Sequence, residues 1–274
     1  MCAFICIVSE DRQSIIGNED VIYDGIIFRD LSHLNRSQRN SEEYSLQKFI
    51  AEEVILRYRN IYIKLSPEIK DIRAFKWVNY RNKSEKKYSI EARYTSYLDI
   101  NDFEDKDSFL ESNIYINSSN SRRQIIRKVF NNKVITKLSN NISSFIKLFE
   151  KNMLSQNIKI SNERLNFINQ LLTRLLKEKK IKIFNSYFNG ERPASSAIFL
   201  LDQHRNRAYY LFGANDPDQK NDYTGTAVIS EAIMNLTKDI ELIDLEGINS
   251  PNRGWFKTSF GGNTKLYFHV SVES

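Results

Sequence analysis

The sequence has few of the residues that build disulfide frameworks and metal centres. Its 274 residues include only two cysteines, Cys2 and Cys6, and three histidines, His33, His204 and His269. The cysteines stand four apart in one apparent strand and face the same side of it, so a disulfide between them would be strained. Because no histidine lies near them in sequence, a zinc site lacks ligands. We expect the cysteines to pack in a core, and we expect no metal.

Long hydrophobic runs are absent as well. No apolar stretch approaches the ~20 residues that a membrane-spanning helix requires. The opening MCAFICIV has no basic lead and is followed at once by the polar segment Ser9–Arg12. Such a segment suits a buried strand better than a secretory signal. The sequence thus predicts no membrane span and a cytoplasmic location.

Charges of both signs are plentiful, with 27% charged residues beside 41% hydrophobic and 12% aromatic ones. This balance is typical of globular proteins and excludes a disordered or fibrous chain. The net charge of +6 is spread thinly, and it suits a phosphate-rich small molecule and a nucleic acid equally well. The length is comfortable for two domains. The polar hinge Asn117–Asn120 predicts a boundary between residues 1–117 and 118–274.

Predicted helices and strands alternate along both halves, which indicates an α/β fold. In the first half we predict a helix at Tyr44–Arg59, strands at Ala3–Val8, Asp24–Phe28 and Asn60–Leu65, and a long strand or a hairpin at Lys87–Ile100. The acidic segment Asn101–Asn113 is predicted to be a solvated helix or loop. In the second half we predict helices at Arg122–Phe130, Ile142–Leu154 and Asn162–Lys179, and a three-stranded meander at Ile181–Phe188, Ala197–Leu201 and Arg207–Ala214.

The last third of the chain places an anion-binding element after an apolar strand. The strand Arg207–Ala214 ends in small residues, and a predicted helix, Thr226–Lys238, follows it. With Asp222 or Thr224 as its cap, this helix would leave the amides of Gly225–Ala227 facing outward. Free amides at the positive end of a helix bind anions, and a glycine lets a phosphate approach the backbone. An ordinary capped helix is the alternative interpretation.

Two carboxylates follow on the next predicted strand, Ile240–Gly247. Asp244 and Glu246 lie two apart and therefore share one face of that strand. On an otherwise apolar strand they must reach solvent in a cleft or meet cationic partners. A carboxylate in such a cleft can take the proton from an attacking ammonium group. The alternative is that these acids only anchor a loop through backbone N–H groups.

The turn Trp255–Gly262 (WFKTSFGG) supplies a cation after this pair of acids. Phe256 and Phe260 stand four apart, as on a helical turn, and would plug the core, while the two final glycines would end the turn. Lys257 points elsewhere and can offer its charge to a phosphate or to a tetrahedral oxyanion. A solvated surface lysine is the alternative.

These motifs, in this order and with a final strand after the turn, resemble the C-terminal half of the GNAT acyltransferases. The chain is most similar to their Fem-like and BioF2-like branch, which carries two such folds in tandem. In the first half the resemblance continues at Phe75–Tyr80 (FKWVNY), Arg93–Ile100 (RYTSYLDI) and Ser121–Lys128 (SRRQIIRK). It covers the chain from about residue 45 onward. The coiled-coil arm that is inserted in tRNA-dependent Fem transferases is missing from this sequence.

The resemblance implies a fold and a set of site residues. The fold would be α/β (α+β), with two GNAT-like domains whose mixed, mostly antiparallel sheets are flanked by helices. Backbone amides at the end of the apolar strand would polarise the acyl carbonyl, and a plain strand end is the alternative. The start of the helix would grip the pyrophosphate of coenzyme A, although one glycine replaces the several that are usual there. The residues implied for the acyl donor are Phe212, Gly213, Ala214, Asn215, Thr224, Gly225 and Thr226. The residues implied for catalysis are Asp244 or Glu246 as the base and Lys257 as the cation.

Aromatic and basic residues of two further segments could contact the acceptor. Trp77 and Tyr80 could stack on a base or a sugar, and a place in an aromatic core is the alternative. Arg123 and Arg127 belong to a helical cluster of cations, with Arg122 and Lys128, that could grip a diphosphate. The alternative for this cluster is solvated charge on an amphipathic helix.

The function that the resemblance implies is N-acyl transfer. The acyl donor would be acetyl-CoA or another acyl-CoA, and the acceptor an amine of a nucleotide-linked sugar or a similar anionic small molecule. Two other functions stay open: an aminoacyl-tRNA-dependent transferase that acts on a peptidoglycan precursor, and a catalytically silent binding module. The hypothesis of a silent binding module rests on the single glycine at the predicted phosphate-binding helix start, where several glycines are usual. No DNA partner is expected.

Overall fold

The computed structural model describes residues 1–82, 84–131, 134–188, 190, 192–219 and 223–273. The chain divides into two compact units: Met1–Thr95 together with Lys265–Ser274 form unit 1, and Ser96–Thr264 form unit 2. This division differs from the predicted boundary after residue 117. The last strand of the chain pairs with a strand near residue 63, so the two ends of the sequence fold together in unit 1.

Strands and helices alternate along the chain. The strands are β1 (Cys2–Ile5), β2 (Gly25–Phe28), β3 (Ile61–Leu65), β4 (Ser89–Asp99), β5 (Ile135–Ser139), β6 (Ile181–Tyr187), β7 (Ser195–Asp202), β8 (Arg207–Asn215), β9 (Leu242–Asp244) and β10 (Asn263–Val272). The helices are α1 (Arg36–Arg57), α2 (Arg73–Lys76), α3 (Lys106–Phe109), α4 (Asn113–Asn117), α5 (Asn120–Asn131), α6 (Ile142–Leu154), α7 (Asn162–Lys177), α8 (Thr224–Leu236) and α9 (Pro251–Thr258).

Unit 1 combines antiparallel strands with the long helix α1. β10 runs antiparallel beside β3 with Val270 opposite Ile63, and β4 is the other neighbour of β10. β1 and β2 form a separate antiparallel pair. Cys2 and Cys6 are free and pack, partly buried, against the core of this unit, as the sequence predicts.

Helix α1 begins at Arg36, about two turns before its predicted start at Tyr44, because the sequence supplies a cap there. Asn35 Oδ1 accepts a hydrogen bond from the backbone N–H of Gln38, and Gln38 Oε1 accepts one from the backbone N–H of Asn35. This capping box satisfies amides that would otherwise lack partners at the helix end. Of the apolar residues that the sequence shows at helical spacing, Leu46, Phe49, Ile50 and Val54, α1 buries Ile50 and Val54, whereas Phe49 is exposed. Ala51 and Ile55 are buried beside them.

Unit 2 contains a mixed sheet with helices on both faces. Its strand order is β4-β9-β8-β7-β6-β5, in which β8 and β9 are parallel and the other described pairs are antiparallel. Phe184 and Phe199 face a core shared with α5 and α8, whereas Ile183 and Ile198 face a second core shared with α6 and α7. Alternation along each strand thus feeds both layers. The predicted α/β fold class and the predicted meander β6–β8 are confirmed.

The acidic segment Asn101–Asn113 is not the solvated element that its composition predicts. It contains the short helix α3, and both of its phenylalanines, Phe103 and Phe109, are buried in the core of unit 2. Their rings lie 5.1 Å apart at an angle of 71°. The acidic residues dominate the composition of the segment, but burial of two aromatic rings decides where it packs.

Candidate active site

The candidate site lies in unit 2, where two parallel strands separate. The register of β8 with β9 covers three pairs, from Arg207 with Leu242 to Tyr209 with Asp244. β9 then ends, whereas β8 continues to Asn215. The carboxyl ends of neighbouring parallel strands are where open α/β sheets bind their ligands. The predicted catalytic and donor-binding residues all belong to these two strand ends or to the segments that follow them.

A β-bulge reshapes β8 beside this opening. Ile198 of β7 stands opposite Phe212, but its neighbour Phe199 stands opposite Tyr210, so Leu211 is an extra residue in β8. Bulges of this kind re-aim side chains and backbone groups and are common next to active sites. The segment Phe212–Asn215, which we predict to present its amides to an acyl carbonyl, follows the bulge directly.

The bulge brings the side chain of Tyr210 back over its own strand. A Cβ atom at Gly213 would lie 1.7 Å from the hydroxyl oxygen of Tyr210, so glycine is required unless the ring moves. The ring forms one wall of a small hollow whose other walls are Ile229, Leu245, Phe256, Lys257 and Phe260. Burial raises the pKa of Tyr210 to about 12, and its hydroxyl therefore keeps its proton at neutral pH.

Lys257 extends from helix α9 into this hollow and is held there. Only 8% of its surface is exposed. Its Nζ donates to the backbone oxygen of Glu246 at 2.8 Å and lies 5.0 Å from the centre of the Tyr210 ring. Burial lowers the pKa of Lys257 to about 8, and the Glu246 carboxylate opposes that shift. The alternative of a solvated surface lysine is therefore wrong.

The sequence predicts that Asp244 and Glu246 share one face of a strand, but in the structure they do not. β9 ends at Asp244, and Glu246 lies beyond it in a left-handed conformation with φ of 55°. Asp244 is fully buried, and its Oδ1 accepts the backbone N–H of Glu246 at 2.8 Å. This contact is the loop anchor that the sequence leaves open as the alternative. Non-glycine residues in left-handed conformations are concentrated at functional sites, because the surrounding structure must hold them there.

Helix α8 begins close to the end of β8 and brings together several residues predicted to bind the donor. Thr224 is its first residue rather than its cap, and the other predicted cap, Asp222, lies outside the described residues. Ser195 Oγ lies 2.7 Å from Asn215 Oδ1 and 2.8 Å from Thr224 Oγ1, so one hydroxyl ties the strand end to the helix start. A Cβ atom at Gly225 would lie 3.4 Å from Asn215 Oδ1.

Arg122, which the sequence analysis groups with the cations of its helix, is instead a buried residue of the site. It is only 4% exposed, and its guanidinium lies 4.6 Å and 4.5 Å from the ring centres of Phe256 and Phe260. Its Nε donates to Ser259 Oγ at 2.9 Å, and its Nη1 donates to Thr226 Oγ1. One cation thus joins the turn that carries Lys257 to the first turn of α8. The signal was available, because Arg122 lies four residues before Ile126 on the buried stripe of α5.

Arg123 and Arg127, the two arginines that the sequence predicts to contact the acceptor, take no part in the buried contacts of Arg122. Arg123 is half-buried and donates to the side chain of Asn120, and Arg127 is exposed and donates from Nε to the hydroxyl of Tyr115 at 2.6 Å. Trp77 and Tyr80 belong to unit 1 and are 47% and 70% exposed. A place in the aromatic core, the alternative for both rings, is therefore wrong.

We predict that Arg122→Lys lowers the free energy of unfolding by about 2 kcal/mol or more, because lysine loses the forked hydrogen bonds and the contact with two rings. Arg123→Lys is the matched control on the same helix, and its expected change is within about 0.5 kcal/mol. Urea unfolding followed by circular dichroism measures both. Equal changes in the two variants would show that the buried guanidinium has no special part in the structure.

Two further findings bear on the chemistry. The described ranges contain no group of three or more His, Cys, Asp or Glu side chains that could hold a metal ion. No helix among the described residues is long and apolar enough to cross a membrane.

The fold of the chain is similar to the folds of several solved structures. It is similar to the crystal structure of FemX, with a TM-score of 0.58 and 10% identity over 85% of this chain and 77% of that one. It is similar to the C-terminal domain of a putative lysylphosphatidylglycerol synthetase from Agrobacterium fabrum, with a TM-score of 0.56 and 9% identity over 84% and 72% of the two chains.

A third similar structure is a conserved protein of unknown function from Bacteroides thetaiotaomicron VPI-5482, with a TM-score of 0.59 and 12% identity over 91% of this chain and 78% of that one. At these identities the likeness is one of fold, and as a likeness of fold the predicted resemblance is confirmed. No protein-family model and no curated protein matches the sequence.

Proposed function

We propose that the protein is an N-acyltransferase that moves an acyl group, acetyl from acetyl-CoA, to an amine of a nucleotide-linked sugar or a similar anionic acceptor. The observation that carries the proposal is Lys257, a buried cation fixed where two parallel strands separate and next to the bulge of β8. A fixed charge in a site shielded from water stabilises charge that develops on a substrate much better than an exposed one does. The fold shared with FemX supports the same class of chemistry.

The proposed reaction is direct attack of the amine on the thioester. The amine nitrogen forms a bond to the carbonyl carbon, and the carbonyl oxygen becomes an oxyanion held by backbone N–H groups of Phe212–Asn215 and by the Lys257 ammonium. Glu246 takes the proton that the nitrogen loses. The carbon–sulfur bond then breaks, and coenzyme A leaves with the electron pair on sulfur.

Glu246 is the proposed base, and Asp244 is the proposed positioning residue. The fully buried Asp244 holds the backbone N–H of Glu246, while the backbone oxygen of Glu246 holds Lys257. Glu246 is half-buried, so its carboxylate keeps access to a ligand. In this arrangement Asp244 positions both the base, Glu246, and the cation, Lys257. Asp244 need not itself accept a proton.

The start of α8 is the proposed site of the coenzyme A pyrophosphate. The amides of Thr224, Gly225 and Thr226 stand in the first turn, where N–H groups are available to an anion. The buried cation of Arg122, bonded to the Thr226 hydroxyl, adds positive charge to that turn. Arg123 and Arg127 remain the proposed contacts of a diphosphate on the acceptor.

Coenzyme A is the first ligand to test, because a ligand that binds only the native state raises its melting temperature. At 100 times its Kd we expect coenzyme A to stabilise the protein by about 2.7 kcal/mol. Gly225→Glu, which adds a negative charge at the proposed pyrophosphate site, should abolish most of that gain. Gln170→Glu adds the same charge at an exposed position of α7 and is the control.

The other functions give different results in the same assay. If aminoacyl-tRNA stabilised the protein and coenzyme A did not, the protein would be an aminoacyl-tRNA-dependent transferase rather than an acyl-CoA-dependent one. Stabilisation by neither ligand would contradict both transferase readings and leave the silent binding module. An equal gain in Gly225→Glu and Gln170→Glu would show that coenzyme A binds away from the start of α8.

A further inference from the structure

Two shallow hollows on unit 1 are lined by aromatic rings, arginines and amides. The first is lined by Trp77, Asn79, Tyr80, Arg81 and Asn82. The second is lined by Arg36, Ser37, Asn40, Ser41, Tyr44 and Arg73. They meet at the rings of Tyr44 and Trp77, which contact edge to face with their centres 5.9 Å apart. We call this combined region the aromatic–arginine surface.

The periodicity of two helices builds this surface. Along α1 the lining residues recur at positions i, i+1, i+4, i+5 and i+8, from Arg36 to Tyr44, and so occupy a single helical face. Across α2 Arg73 and Trp77 stand four apart and also share a face. The polar side chains of α1 and the aromatic rings therefore both line the aromatic–arginine surface.

Arg73 is a fixed part of the surface rather than a mobile charge. Its guanidinium carbon lies 5.3 Å from the centre of the Tyr44 ring and 5.4 Å from that of Trp77. Asp71 fixes it further, with Arg73 Nη2 donating to Asp71 Oδ2 at 2.6 Å. The rings of Tyr44 and Trp77 are thereby held in place, while 47% of Trp77 stays open to solvent. Ring faces that are both fixed and exposed are suited to stacking, because little side-chain freedom is lost when a ligand binds.

We propose that the aromatic–arginine surface binds a nucleotide, with the base stacked on Trp77 and the phosphate groups held by Arg36 and Arg81. Aromatic faces accept any planar base, and arginine pairs with phosphate through two hydrogen bonds. Among the described residues, no aspartate or glutamate lines either hollow. The lining thus favours an anionic ligand that carries a planar ring.

The proposal rests on the proposed function, because a nucleotide on this surface is the kind of group that a nucleotide-linked acceptor carries. Its test measures binding to unit 1 without turnover, so it can fail while acyl transfer stands, and acyl transfer can fail while it stands. The base and phosphate could come from a free nucleotide or from a single-stranded RNA end. Both sources present the same chemistry to the surface. They differ in length, and the test below therefore uses a probe of each kind.

Tryptophan fluorescence reports the proposed stacking directly. The chain has two tryptophans, and in a Trp255→Phe background Trp77 is the remaining one. We expect ADP to quench its emission saturably, and pyrophosphate to bind without quenching. A single-stranded oligoadenylate of six nucleotides is the RNA probe, and calorimetry gives the affinities.

Variants then assign the binding to the surface. Trp77→Ala, measured by calorimetry, should weaken the affinity for the bound probe by at least about fivefold, the lower range for loss of one stacked base. Phe49→Ala is the matched control, because Phe49 is an exposed aromatic residue of α1 that lines neither hollow. Arg81→Gln should weaken binding and flatten its dependence on salt.

Each result decides the proposal. Binding of ADP that is weakened by Trp77→Ala supports it with a free nucleotide as the source, and binding of the oligonucleotide alone with the same dependence supports it with RNA. Binding of neither probe overturns it. Equal affinities in Trp77→Ala and Phe49→Ala overturn it as well, because the nucleotide would then bind elsewhere.

Discussion

Replacing Lys257 by methionine is expected to lower kcat/KM for acyl transfer by about 10²-fold or more, the usual scale for loss of one group that stabilises an oxyanion. The same change should leave the protein at least as stable as before. Methionine keeps the length and the apolar stem of the side chain, and it removes a buried charge whose desolvation is unfavourable. Steady-state kinetics with an identified amine acceptor and urea unfolding measure the two effects.

The pKa of about 8 gives this prediction a pH signature. Below it Lys257 is a cation, and above it a neutral amine, so stabilisation of an oxyanion is lost as the pH rises through about 8. Wild-type kcat/KM should therefore show a descending limb near pH 8 that Lys257→Met lacks.

Stability should change in the opposite sense. Between the folded pKa of about 8 and the ordinary lysine value of 10.5, the unfolded chain binds a proton that the folded chain does not. The free energy of unfolding therefore rises with pH in this window. Below about pH 8 both states are protonated, and Lys257 contributes no pH dependence. Lys257→Met should lack the rise.

The control for Lys257 is Lys238→Met, which removes the same charge at an exposed position of unit 2. It is expected to change neither activity nor its pH profile. Retention of the wild-type rate in Lys257→Met would exclude Lys257 from the chemistry. Activity that rises through pH 8 only when Lys257 is present would assign it the part of a base instead of a cation.

Local patterns were sufficient to predict much of the fold. Strands β6–β8 and helices α6 and α7 were predicted nearly to their ends, because each is defined by apolar residues at the period of its own element. The boundary between the units was not predictable in this way. It depends on the pairing of β10 with β3, between residues about two hundred positions apart, and neither strand specifies its partner by its own period.

The site was predictable as a set of segments but not as a geometry. Lys257 and the acids stand out by residue type, yet the left-handed φ of Glu246 replaces the extended strand that the alternation of IELIDLEG suggests. Arg122 was grouped with its charged neighbours, although its spacing to Ile126 places it on the buried stripe. Residue type is a poor guide to burial for arginine, because aromatic rings and hydroxyls can take the place of water around a guanidinium.

The second large effect is expected at Glu246. Glu246→Gln keeps the size of the side chain and the backbone oxygen that holds Lys257, and it removes only the ability to accept a proton. Loss of a general base lowers kcat by about 10²–10⁴-fold. The stability of the variant should be close to that of the wild type.

Asp244 separates the base from its anchor. Asp244→Asn keeps an oxygen that can accept the backbone N–H of Glu246, but it weakens a buried, charge-assisted bond. We expect it to lower the free energy of unfolding by about 1–3 kcal/mol and to reduce kcat less than Glu246→Gln does. The pair of variants is informative because the two acids have opposite environments, one fully buried and one half-buried. Loss of turnover in Asp244→Asn with unchanged stability, beside a normal rate in Glu246→Gln, would exchange the two roles, since a base must exchange protons with the substrate and an anchor need only hold the loop.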